Sequence, residues 1–189
     1  MPSGGRRAEV LSDERATATV DGMTQALPRI TVGEAASHLL LWRHAVQLQA
    51  IRILTPSTGM PDGPFSRQVD CYMFAVAVRN VRRGGELLRQ VAPARCGSAI
   101  DIATNAFDAR VPHAVDLRDV LDHFDAYALG KGRLQDPNGF LPVAWYEDDG
   151  KTYRYSIGVS AAKPLLTIDV KDACEAASAF SSSVMDAVA

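Results

Sequence analysis

The stretch Cys71-Tyr72-Met73-Phe74-Ala75-Val76-Ala77-Val78 lies in a run that reads as helix from about Ser66 to Val91, and it is apolar nearly all round. A helix without a polar face has to be enclosed on every side. This one therefore predicts the central, most buried helix of a helical core. The adjacent Gly84-Gly85 predicts a kink or a split within it.

The flanking segments supply its neighbours. Thr31 as N-cap and Glu34 three residues on form a capping box. It opens a first helix to about Leu54, with Leu41, Ala45 and Leu48 along one side and Leu39, Trp42 and Val46 along the next. Thr55-Pro56-Ser57-Thr58-Gly59 and Pro61-Asp62-Gly63-Pro64 read as loop. A third helix is expected from Gly97 to Arg110, with a break at Val111-Pro112. A fourth runs from about His113 or Asp116 to Leu129 and is closed by Gly130 and Gly132. Short connections favour antiparallel neighbours, so residues 30–132 read as a four-helix bundle.

After Pro137-Asn138-Gly139 the period changes. Val143 to Glu147 and Thr152 to Ile157 flank Asp149-Gly150, a two-residue hairpin signal that sets Trp145 opposite Arg154 as a cation–π pair. Leu165 to Val170 reads as a third strand. Asp172 to Val188 reads as a closing helix, rich in alanine and serine and therefore weakly anchored. The expected fold class is α+β, mostly α, with residues 133–189 an annex on the bundle. Residues 1–29 lack apolar periodicity and read as a disordered tail.

No segment reaches the roughly eighteen apolar residues of a membrane span, and the N-terminus has no apolar leader core. The expected location is the cytoplasm, with no membrane partner. The three cysteines, Cys71, Cys96 and Cys174, are widely spaced and suggest neither a zinc site nor a disulfide framework. A net charge of −2 argues against bulk capture of nucleic acid. The charge is uneven, however. Arginines crowd the interval from Arg43 to Arg95, and aspartates the interval from Asp101 to Asp125. Either a basic helix packs on an acidic one, or the basic stretch is a surface for a polyanion.

The residues with most chemistry are in the fourth helix, Arg118-Asp119-Val120-Leu121-Asp122-His123. On an ideal helix Arg118 and His123 point about 140° apart. One narrow site then needs Arg118 to reach round, or a second subunit to supply part of the pocket. The plain alternative is a solvated face with two ion pairs one turn apart, Arg118 with Asp122 and Asp119 with His123, worth about a few tenths of a kcal/mol each.

Arg118-Asp119-x-x-x-His123 resembles the R-polar-x-x-x-H signature of the HEPN superfamily, compact four-helix domains that include many metal-independent endoribonucleases. The resemblance covers about residues 31 to 132. It implies a homodimer in which two signatures meet in a cleft, and an RNA substrate. A prokaryotic defence or toxin–antitoxin setting, with an antitoxin-like protein partner, goes with it. On this pattern Arg118 would hold the scissile phosphate. His123 would move the proton of the ribose 2′-hydroxyl or of the leaving 5′-oxygen. Asp119 would orient the imidazole. No metal or cofactor is called for, because the nucleophile is the RNA's own hydroxyl. The competing expectation is a non-catalytic helical module that docks a protein partner.

His113, Asp116, Asp119 and His123 share one helix sector, yet four ligands from one helix cannot surround an ion. His38 and His44 lie on the first helix, with His44 expected at the core boundary. Arg79, Arg82, Arg83 and Arg89 either line a phosphate-rich groove or pair with the aspartates of the next helices. Ser181-Ser182-Ser183 lacks the context of a nucleophile elbow.

Overall fold

The computed structural model describes residues 30–55, 64–135, 143–149, 152–159 and 165–189. The expected N-terminal tail, the loop at 56–63 and the turn at 137–139 lie outside the described residues. Among those described, the order is α1 (Val32–Leu54), α2 (Pro64–Val91), α3 (Pro93–Arg110), α4 (Ala114–Asp122), α5 (Phe124–Ala128), β1 (Val143–Asp148), β2 (Tyr153–Gly158), β3 (Leu166–Asp169) and α6 (Val170–Val188). The chain is a mostly α, α+β fold. No described helix is long and apolar enough to cross a membrane.

The capping box forms as the residues dictate. Thr31 accepts from the Glu34 amide at 3.2 Å, and the Glu34 carboxylate accepts from the Thr31 amide at 2.7 Å. The Thr31 amide, and the Thr31 hydroxyl donating to the same carboxylate oxygen at 2.8 Å, hold the Glu34 carboxyl below its ordinary value. From there α1 runs against α2, burying Leu39, Val46 and Ile53.

Helix α2 is continuous through Gly84-Gly85, so the expected split is corrected. The glycines instead permit close approach. A Cβ on Gly84 would lie 2.9 Å from the Leu39 Cα, and one on Gly85 would lie 2.3 Å from the Phe180 ring. Two neighbouring helices therefore rest directly on the α2 backbone.

Nor is α2 enclosed on every side. Phe74, Ala75, Ala77 and Val78 are buried, while Met73 is 42% and Val69 58% exposed. Helices α1, α3, α4 and α6 and the sheet cover most of its circumference. Further along α2, Asn80, Arg83, Gly84 and Leu87 line a cleft beside α1.

The three strands form one antiparallel sheet in the order β1-β2-β3. The register places Glu147 opposite Arg154 and Trp145 opposite Ser156, two residues from the expected pairing. Asp149 and Thr152 close the hairpin, with Asp149 accepting from the Thr152 amide at 2.7 Å. Arg154 therefore approaches Glu147, at 3.9 Å. Among the described residues a cation–π contact is made by Arg67, 5.7 Å from the Tyr153 ring centre.

Helix α6 is not weakly anchored. It starts at Asp169, whose side chain caps the Asp172 amide, and it buries Val170, Ala173, Ala177, Phe180, Ser181 and Val184. Its small residues let it settle against α3, α1 and α2, and Phe180 meets Phe107 with ring centres 5.2 Å apart. Ser181 is spent within the helix, donating to the Ala177 carbonyl at 2.8 Å.

Candidate functional site

Helix α4 buries Ala114, Leu117 and Val120 and stops at Asp122, earlier than the sequence suggests. His123 sits at the break with φ −116° and ψ 30°, and α5 follows at once. The break leaves Phe124 exposed and Tyr127 fully buried, although both share the apolar face of a straight helix. Tyr127 is fixed by its hydroxyl, which accepts from the Leu134 amide at 3.1 Å. Gly130, at φ 75°, supplies the left-handed residue that ends α5.

The two signature residues leave this segment on different flanks. Arg118 is ion-paired to Asp122. The Tyr72 hydroxyl on α2 donates to the other Asp122 oxygen at 3.3 Å, so the pair is tied to the central helix. Burial, and then the Asp122 charge, push the Tyr72 hydroxyl above its ordinary value. His123, with a side chain 60% exposed, has Nε2 4.0 Å from an Asp119 oxygen. The other Asp119 oxygen lies 3.5 Å from Arg133, which also reaches Asp116 at 2.7 Å. Within one copy of the chain, Arg118 and His123 are not brought together.

The helix α2 arginines divide into two kinds. Arg82 meets Asp108 of α3 at 2.7 and 2.8 Å through two nitrogens, and also pairs with Glu86. Arg89 meets Asp101 at 2.5 and 3.1 Å. These are basic-on-acidic helix contacts. Arg79 is different: its side chain is 19% exposed, and its Nη1 is buried without a hydrogen-bond partner, 3.8 Å from Glu86. Burial lowers its affinity for the proton below that of an ordinary arginine, with Arg82, Arg83 and Arg118 adding to the effect against Glu86. Arg118, on the facing helix α4, carries a further positive charge on that side of α2.

Asp116 and Asp119 are engaged by Arg133, and among the described residues no group of His, Cys, Asp and Glu is arranged to hold a metal ion. His44 is exposed rather than at the core boundary, whereas His38 lines a cleft between α1 and α2. Sequence reasoning missed Arg133, Tyr72 and the special position of Arg79. The first two act across chain separations that carry no local signal. Arg79 was one of four arginines on its helix, and only packing distinguishes it. Set against models of protein families, curated proteins and solved structures, the chain matches none.

Proposed function

We propose that this chain is a HEPN-like, metal-independent endoribonuclease whose reacting groups are completed by a second copy of the chain. The observation that carries the reading is the sheltered Arg79 guanidinium, whose Nη1 makes no hydrogen bond and lies 3.8 Å from a Glu86 oxygen. A sheltered cationic donor without a hydrogen-bond acceptor is costly, and a phosphate oxygen is an acceptor that a guanidinium suits well. Arg118 and Arg79 hold the scissile phosphate. His123, exposed at the helix break, takes the 2′-hydroxyl proton as the 2′-oxygen bonds to phosphorus. The bond from phosphorus to the 5′-oxygen breaks, and that oxygen leaves protonated by an imidazolium, the His123 of one or other copy. The products are a 2′,3′-cyclic phosphate and a 5′-hydroxyl. A prokaryotic defence or toxin–antitoxin role accords with such an activity. The test is cleavage of single-stranded RNA by the unaltered chain and by its Arg118→Ala and His123→Ala variants.

A second reading has its own observation. Arg118 and His123 each face a carboxylate of their own chain, and α1 exposes Leu41, Leu48 and Ile51. A non-catalytic helical module that docks a protein partner through α1 would have this pattern. It predicts that both alanine variants behave as the unaltered chain.

A further inference from the structure

A cleft of about 550 Å³ opens between α1 and α2, walled by His38 and Trp42 on one side and by Asn80, Arg83, Glu86 and Gln90 on the other. Small-ligand sites span roughly 300–1,000 Å³ and combine apolar walls with a few polar groups. This cleft has both. Its aromatic wall is Trp42, half-buried against the core. Its cation is Arg83, exposed and without an ion pair among the described residues, whereas Arg82 and Arg89 are each clamped to an aspartate. The Glu86 carboxylate is engaged by Arg82 and faces Arg79, so it does not neutralise Arg83. An indole and a free guanidinium across one cleft, with amide side chains beside them, match a planar base joined to a phosphate.

We propose that this cleft binds one nucleotide unit, its base stacked on the Trp42 indole and its phosphate held by Arg83. The site goes beyond the cleavage reading and does not rest on it, since neither Arg118 nor His123 lines the cleft.

The sequence holds two tryptophans, so Trp145→Phe leaves Trp42 as sole reporter. That variant is titrated with adenosine 5′-monophosphate and with a 2′-O-methyl adenosine hexamer, which cannot be cleaved. Saturable quenching of Trp42 is expected, weakened about tenfold or more by Arg83→Gln, the loss of a charge-assisted phosphate contact. Arg89→Gln, on the same helix but outside the cleft, leaves it unchanged. Binding of the monophosphate identifies a free nucleotide as sufficient; binding of the hexamer alone identifies a strand. Either supports the site. Failure of both probes to quench, or equal weakening by the two arginine variants, overturns it. Indole amide resonances of the unaltered chain report the same binding if Trp145→Phe does not fold. RNA cleavage without Trp42 quenching overturns this site alone, and quenching without cleavage overturns the nuclease reading alone.

Discussion

Asp122 ties Arg118 to Tyr72: its carboxylate pairs with the guanidinium one helical turn back and accepts from the tyrosine hydroxyl at 3.3 Å. Arg118 is thereby directed to the α2 side of the segment. His123, beyond the end of α4, faces Asp119 and the Arg133 turn.

If one site takes Arg118 from one copy and His123 from another, two singly inactive variants complement each other. Arg118→Ala and His123→Ala are each expected to lose RNA cleavage. An equimolar mixture regains a substantial fraction, because mixed dimers hold one intact pair. The rate of the mixture against each variant alone is the measurement; an inactive mixture that still forms mixed dimers contradicts the shared site.

Close approach at the central helix makes its glycines unequal. Gly84→Ala drives a methyl against the Leu39 backbone, and Gly85→Ala drives one into a Phe180 ring already packed on Phe107. Each is expected to cost about 1–3 kcal/mol by overpacking. Gly97 in α3 has no atom within 4 Å of its would-be Cβ. Gly97→Ala is expected to gain about 0.5–1 kcal/mol from helix propensity and reduced unfolded-state freedom. Urea denaturation of the three variants gives the comparison.

Two arginine–aspartate pairs join α2 to α3 with different consequences. The Arg82 side chain is largely sheltered and bonds both Asp108 and Glu86, so Arg82→Met is expected to cost about 1–2 kcal/mol after solvent screening. Arg89 and Asp101 are about half exposed, and Arg89→Met leaves stability unchanged within error. Salt is expected to narrow the difference only slightly. Melts at low and high ionic strength check both statements.

Alkaline pH should loosen the sheet side of the core. Burial pushes the Cys71 thiol from an ordinary 9.0 up to about 12, and raises the Tyr155 hydroxyl likewise. The folded chain therefore keeps protons that the unfolded chain releases. The contribution is fully present below pH 9 and is lost as the pH rises towards 12. Urea melts at a series of pH values are expected to show falling stability above pH 9, with a shallower fall in Cys71→Ala.

Periodicity and capping made much of the fold legible. The α1 capping box, the two long helices and the strand–turn–strand all follow from local residue chemistry. The misreadings came from packing. Gly84-Gly85 looks like a point where the helix could split and is a contact surface because Leu39 and Phe180 arrive there. The small residues of α6 look like weak anchoring, yet they allow it to pack closely. Of the candidate segment, the sequence named Arg118, Asp119 and His123 and the two pairings one turn apart, Arg118 with Asp122 and Asp119 with His123. It held no sign of the helix break at His123, of Tyr72 behind Asp122 or of the bare nitrogen on Arg79. Each of these depends on groups distant in the chain.

The most direct measurement is the end-group chemistry of a labelled single-stranded RNA incubated with the purified chain in excess chelator. The account predicts fragments ending in 2′,3′-cyclic phosphate and 5′-hydroxyl, a rate reduced about 100-fold or more by His123→Ala, and no cleavage of the 2′-O-methyl strand. Intact RNA at every time point, or cleavage unchanged in both His123→Ala and Arg118→Ala, contradicts it and leaves the non-catalytic helical module as the reading that stands.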